Sequence, residues 1–422
     1  MALPGVKTII KDRFYSISRQ DIPVGTKICV IAKRNNADNT GNVRNLDVVQ
    51  ATSEQDVITA FGEDSDIHRA YFELVAGGAE RIFIVPLPSD TVWVYSTGAV
   101  TSATHGGDVF DAAFDAAEAS QPDIIVPWGR GAKATDFDFS AGSTPGWPGD
   151  SFGFVADNSS SASSFVAKVG KKVKEIAENS YPCFAVMGVK PYVDGASEIM
   201  TPSEVATHVG TNGLSTLIAR DNSTFDPGAA NDGASKYVVV IASELKPVNY
   251  DSAWGFANGA TTFAAAISRM ASFTSPVNKT AYNVASIRYN PTRTQQTSLA
   301  DKGANFIALN FNKVPTFVEG LTMAKATSDY TRISTFRIIS EAATLVRQVC
   351  QKFVGEASTL QTRNSMETAI TSALRGMQQM GALLNSDFTV SYFPAENKAF
   401  VDLVLTPAFE LKTIEVQVAI SI

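Results

Sequence analysis

Along most of the chain, short uninterrupted apolar runs alternate with longer segments of helical periodicity. Lys27–Lys33 (KICVIAK) and Arg81–Leu87 (RIFIVPL) are the first two runs, and residues 123–128, 152–156, 183–188 and 237–243 continue the series. A strand that is apolar at every position is buried on both faces, so these runs predict a largely parallel sheet covered by helices on each side. One helix lies between the first two runs. Asp64 or Ser65 caps it, Ile67, Tyr71, Leu74 and Val75 form its apolar face, and Gly77-Gly78 end it. Further helices fit residues 109–119, Phe165–Asn179, residues 202–212 and residues 253–273, the last with Ala257, Phe263, Ala264, Ile267 and Met270 on one side. Polar, turn-rich stretches at residues 35–45 and 136–149 are expected as exposed loops at the sheet edge.

The last quarter has a different pattern. Residues 335–354 predict an amphipathic helix with Phe336, Ile339, Ala343, Val346, Val349, Cys350 and Phe353 inward, stopped by Gly355. Residues 363–384 predict a second, with Met366, Ile370, Ala373, Leu374, Met377, Met380 and Leu384 on one stripe, the methionines serving as core filler. Strands follow at residues 387–393 and 399–405. The terminal run sets Ile414, Val416, Val418, Ile420 and Ile422 against Glu415, Gln417, Ala419 and Ser421 in strict alternation, a strong strand signal. Residues 1–20 also read as an extended arm, with β-prone Val6, Ile9, Ile10 and Phe14 among Lys7, Lys11, Asp12 and Arg13.

Charge and composition narrow the function. Of 422 residues 18% are charged, below the usual roughly 25%, and 35 basic against 42 acidic residues give a net charge of −7. An acidic chain without a basic block is poorly suited to nucleic acid, and a sparsely charged surface suits contact with other protein. The three cysteines, Cys29, Cys183 and Cys350, stand far apart with no CxxC spacing, which indicates neither a disulfide framework nor a zinc site; Cys29 and Cys350 read as small buried hydrophobes. No secretory signal and no membrane-spanning run is visible, which predicts a protein made in a reducing cytoplasm.

The candidate chemistry is thin. No GxGxxG follows the first strand, and Gly170-Lys171-Lys172 lacks both the upstream glycine (Phe165 stands there) and the Ser/Thr of a phosphate loop. Gly149-Asp150-Ser151-Phe152-Gly153 fits GxSxG, with Asp194 and His208 following in the order of α/β-hydrolases. The residues before Ser151 are loop-like and those after it strand-like, which inverts the strand-to-helix turn such a nucleophile needs. A hydrolase using Ser151, Asp194 and His208 is therefore the alternative reading. Asp64/Asp66 read as a helix start, Asp136/Asp138 as a solvated loop, and His68 as a surface or capping residue. No cofactor and no metal is implied.

In their order, several segments resemble the sheath proteins of contractile phage tails and related injection systems. These are Pro4-Gly5-Val6 at the head of the arm, Phe61-Gly62-Glu63, and Gly77-Gly78-Ala79 before RIFIVPL. Leu299 to Asn305 before FIALNF, Leu321-Thr322-Met323 through Tyr330-Thr331-Arg332-Ile333, and Gly381-Ala382-Leu383 before Phe388-Thr389-Val390 continue the match. The resemblance implies a multi-domain α/β protein: an N-terminal arm (1–20), an outer, largely parallel α/β sheet domain (21–325), an inner α+β C-terminal domain (326–405) and a C-terminal β-arm (406–422). It implies a non-enzymatic subunit that stacks in six-fold rings around an inner tube, meets baseplate and tail terminator proteins, and contracts to drive the tube through a host envelope. Such a protein would be assembled in the bacterial cytoplasm and reside in the virion tail, with no nucleic acid bound and no membrane insertion. The arms, through Val6, Ile9, Ile10, Phe14, Ile414, Val416, Val418 and Ile420, would add strands to neighbours. Tube contact would fall on the C-terminal helices, where residues 330–380 hold six cations against three acids, with Arg347, Lys352 and Arg363 as candidates.

Overall fold

The computed structural model describes residues 18–19, 27–35, 43–89, 91–94, 99–102, 107–127, 165–179, 181–188, 193–194, 198–199, 233–251, 254, 256–408 and 410. The expected strand at 152–156, the helix at 202–212 and the loop at 136–149 lie outside them.

A seven-stranded sheet organises the larger part of the chain. Its strands are β2 (Lys27–Lys33), β3 (Val49–Ala51), β4 (Arg81–Leu87), β5 (Ile124–Pro127), β6 (Phe184–Gly188), β7 (Val238–Ile241) and β8 (Ala304–Asn305), numbered after β1 (Ser18–Arg19) of a separate sheet. The order is β8-β7-β6-β5-β2-β4-β3, parallel throughout except for β3, which runs antiparallel at the edge. β2 lies inside the sheet because it is apolar on both faces: Ile28 pairs with Ile82 on one side and Ile124 on the other, and residues 28–32 are all buried. This is the sheet the apolar runs predict. The short antiparallel edge strand was not legible, since three residues carry too little alternation.

Helix pairs cover the two faces. On one lie α2 (Asp66–Gly77) and α5 (Gly259–Arg269), packed on each other and on β2; on the other lie α3 (Phe110–Ala119) and α4 (Phe165–Asn179). Among the described residues, the remaining α-helices of this part are α1 (Glu54–Phe61) and α6 (Arg293–Asp301). Ser65, not Asp64, caps α2, accepting from the His68 amide at 3.0 Å, and Gly78 ends it with φ +88°. α5 is shorter than the expected 253–273, because Ala257 and Asn258 first form a strand and Trp254 turns inward. The backbones of α2 and α5 approach closely at Gly77, where an added Cβ would stand 2.6 Å from the Ala265 Cβ. Val75, expected on the buried face of α2, is half exposed: it lies eight residues past Ile67, about 80° around the helix, beyond the stripe that α5 covers.

The C-terminal part is built from α7 (Ile333–Gln351), α8 (Leu360–Met380) and a hairpin of β9 (Gly381–Phe393) and β10 (Lys398–Pro407). Met366, Ile370, Leu374 and Met377 fall at helical spacing on α8 and form a second core with Ile338, Ala342 and Val346 of α7. Gly381, with φ +83°, ends α8 and turns it directly into β9. Leu384, expected on the helical stripe, therefore lies at a bulge in β9 and is 58% exposed. α7 also belongs to the first core. Phe336 meets the Tyr237 ring at 5.2 Å and the Phe184 ring at 6.0 Å, and the buried Arg337 donates to the Met270 and Ala271 carbonyls beyond the end of α5.

Two predictions follow from the packing. Gly77→Ala raises helix propensity by up to about 1 kcal/mol, yet the Ala265 contact should make it destabilising by about 1–3 kcal/mol, read from the urea midpoint. Cys29 and Cys183 are buried, and burial raises both thiols, Cys29 to about 12; Cys350, half-buried, is raised to about 11. At pH 8 all three remain protonated, so alkylation of the native protein should be much slower than of the urea-unfolded chain.

Candidate assembly surfaces

Two features of the described structure can engage other protein: an open sheet at the roots of the termini, and the tip of the α7–α8 hairpin. The open sheet has the order β1-β9-β10. β1 contributes two residues, pairing Ser18 with Leu383 and Arg19 with Gly381 and Ala382. β10 pairs along the other side of β9, from Phe393↔Lys398 to Leu383↔Pro407. Ser18 and Pro407 thus lie on opposite sides of β9 at one level, both paired with Leu383. Among the described residues, the β1-side edge of β9 beyond Leu383 has no strand partner, and neither does the outer edge of β10. Unpaired edges of this length present ready rows of N–H and C=O groups.

The faces of the hairpin differ in character. Phe388, Val390 and Tyr392 of β9 and Val401, Leu403 and Leu405 of β10 pack on α7 and α8. The other face shows Phe393, Phe400 and Val404 largely exposed, interleaved with Asp387, Thr389 and Asp402. This alternation holds β9–β10 on the helices through one face and leaves the second face and both edges open.

The expected arm residues Val6, Ile9, Ile10 and Phe14, and Ile414, Val416, Val418 and Ile420, lie outside the described residues. The described residues nearest to them are Ser18 and Arg19 of β1 and, past β10, Ala408 and Glu410. Past Pro407, Glu410 is buried by its side chain at the start of α7, a contact with no signal in the sequence pattern.

The helix-hairpin tip carries Lys352, exposed at the end of α7, and an exposed Val354. Gly355 turns the chain with φ +93°, and nothing lies within 4 Å of the position its Cβ would take. Leu360, at the start of α8, is 76% exposed, and beside it runs an open groove of about 610 Å³ lined by Asn364, Ser365, Thr368 and Ser372. Arg363 stacks over the Tyr392 ring at 4.3 Å and donates from Nε to Ser358 Oγ at 3.0 Å. Arg347 is half-buried and reaches the Asn179 carbonyl at 3.5 Å, and burial lowers its pKa. Of the six cations counted between residues 330 and 380, Arg332 is paired with Glu319 at 2.8 Å and Arg337 is buried against carbonyls. The free positive charge of this region is therefore Lys352, Arg363 and Arg375, less than the count implies.

Among the described residues, several buried polar groups outside these surfaces are bonded to one another. His68, expected as a surface or capping residue, is buried rather than exposed, and it does accept at Nδ1 from the Asp64 amide just before α2 at 3.3 Å; Nε2 meets Glu54 at 3.1 Å, and its ring stands edge-on to Trp254. Trp254 in turn donates to Asp64, and Glu73 accepts from Tyr250 and Thr261. These are polar links between α2 and the segment leading to α5. Of the hydrolase candidates, Ser151 and His208 lie outside the described residues, and Asp194 sits in a two-residue strand paired with residues 198–199. Among the described residues no group of three potential metal ligands occurs, and no helix is long and apolar enough to cross a membrane.

No protein-family model and no curated protein sequence matches the chain. Solved structures do. A chain of the anti-feeding prophage baseplate superposes with a TM-score of 0.62 at 13% identity, covering 100% of both chains. The anti-feeding prophage helical sheath in its contracted state gives 0.61 at 14%, covering 99% of both. A sheath tail protein from Listeria innocua gives 0.56 at 10%, covering 93% of this chain and 94% of its own. Over essentially its full length, the chain has the fold of contractile tail sheath proteins.

Proposed function

We propose that this chain is the structural, non-catalytic subunit of a contractile sheath. The observation that carries the reading is the full-length match of fold to sheath chains, joined to a C-terminal sheet with open edges at the roots of both termini. In this reading subunits stack as six-fold rings around an inner tube, between baseplate and terminator proteins, and contraction drives the tube through an envelope. The body would reside in a virion tail or a related injection machine, without nucleic acid or membrane insertion.

The arms 1–20 and 406–422 link subunits by β-augmentation on the edges of β9 and β10. Main-chain hydrogen bonds supply the hold, at roughly 0.5–1.5 kcal/mol net each. Alternate side chains set the register, with Ile414, Val416, Val418 and Ile420 on one face and Val6, Ile9, Ile10 and Phe14 serving the other arm. Half a dozen such bonds keep subunits joined while their bodies rotate as rigid units. Lys352 and Arg363 at the helix-hairpin tip serve as tube contacts. Arg347, the third candidate, also reaches the Asn179 carbonyl at 3.5 Å. Exposed ion pairs of roughly 0–1 kcal/mol each grip the tube weakly enough to let it slide.

Negative-stain micrographs of the purified full-length protein should show rings or tubular polymers; a species that stays monomeric at all concentrations would overturn the reading. Deleting residues 414–422 should abolish polymers while leaving a folded monomer with the far-ultraviolet circular dichroism of the parent. The double variant Lys352→Glu, Arg363→Glu should still polymerise but give empty lumens where the parent, expressed with its tube protein, gives filled ones.

A further inference from the structure

Three residues past β10, the C-terminal segment meets a built polar site. The Glu410 side chain is 7% exposed, and its Oε1 accepts from the hydroxyl of Ser334, in the first turn of α7. Its Oε2 faces Arg332 Nη1 at 3.7 Å, and the same nitrogen holds Glu319 Oε2 at 2.8 Å. Ser334 and Glu319 are also buried. A helix N-terminus favours a carboxylate, and a buried one must be paired and hydrogen-bonded to be tolerated. The body side of this site is rigid. Arg332 bridges Leu321, the Ile333 amide donates to the Gly320 carbonyl at 2.9 Å, and the Thr322 amide donates to the Thr331 carbonyl at 2.9 Å.

We propose that Glu410 is the anchoring residue of the C-terminal arm. Its clamp on Ser334 and Arg332 fixes where, and in which direction, the segment beyond residue 410 leaves the subunit. The inference rests on the arm reading above and deepens it. β10 packs on the inner core, whereas the N-terminal turn of α7 is bonded into the outer one through Phe336 and Arg337. An arm released at Pro407 would pull only on the β9–β10 hairpin. Pinned at Glu410, it delivers its load to α7, the helix common to both cores, so the body turns as one piece when a neighbour moves. Arg332 is a positioning residue here: it neutralises Glu319 and Glu410 together, and without it two buried carboxylates would face each other.

The test uses the full-length chain with Glu410→Gln, which keeps the shape and removes the charge, and Ser334→Ala, which removes the donor. Local opening of the arm root should rise roughly tenfold for each, the loss expected for a charge-assisted hydrogen bond. It is read as the rate at which a low-specificity protease clips the monomer between residue 400 and the C-terminus. Polymers should shorten in sedimentation, while the thermal midpoint of the body stays near that of the parent. Parental clipping rates in both variants would overturn the clamp, as would a lowered midpoint without selective clipping. The deletion of residues 414–422 separates the two ideas. If it leaves polymers unchanged, the arm reading falls and the clamp is judged on clipping alone. If it abolishes polymers while Glu410→Gln and Ser334→Ala assemble normally, the arm stands and the anchor falls.

Discussion

Helix α7 is the constraint on which the rest of the structure depends, because it is shared by two hydrophobic cores. Its first turns put Phe336 among Tyr237 and Phe184 and fasten Arg337 to carbonyls beyond the end of α5, while Ile338, Ala342 and Val346 pack with α8. Neither core can shift along the helix without exposing apolar surface, at roughly 25 cal/mol per Å². The large parallel sheet and the small hairpin layer are thus joined through α7.

The sheet on the far side of that link is unusual in being left incomplete. Folded proteins ordinarily cover, shorten or charge their edges. Here β9 continues well past its two-residue contact with β1, and β10 has no outer partner among the described residues. Lys398 and Glu396 charge only the hairpin turn. Ser18 of β1 and Pro407 of β10 both pair with Leu383, at the base of the open edges. The sparse surface charge fits the same picture. Part of the cation count in the C-terminal helices is absorbed internally by Glu319 and by backbone carbonyls, leaving Lys352 and Arg363 near the hairpin tip and Arg375 towards the far end of α8.

Much of this fold was legible before any coordinates. β2, β4 and α4 occupy the residues their apolar patterns indicate, and the α8 stripe of Met366, Ile370, Leu374 and Met377 is the core contact. These elements are read easily because a strand buried on both faces and a helix buried on one leave distinct periods in sequence. What escaped depends on partners distant in the chain. His68 is buried by Trp254, 186 positions on, and Arg34 is buried by bonds to Val43 and Ala60 across a loop that reads as solvent-exposed. α1 and α6 are short and only weakly buried, so their apolar periodicity is faint.

The candidate surfaces divide the same way. Apolar runs and helical periodicity by themselves determined the largely parallel sheet, the two long C-terminal helices and the two strands after them, because each is a property of neighbouring residues. Only the tertiary structure decided which cations remain free, that Leu384 and Val75 face outward, and that Ser18, Leu383 and Pro407 meet at one level. It alone brought Glu410 to Ser334 and Arg332, 76 positions apart along the chain in the closer-bonded pair. A buried charge is tolerated only where its partners converge, and convergence is set by packing between elements rather than by the local order of residues.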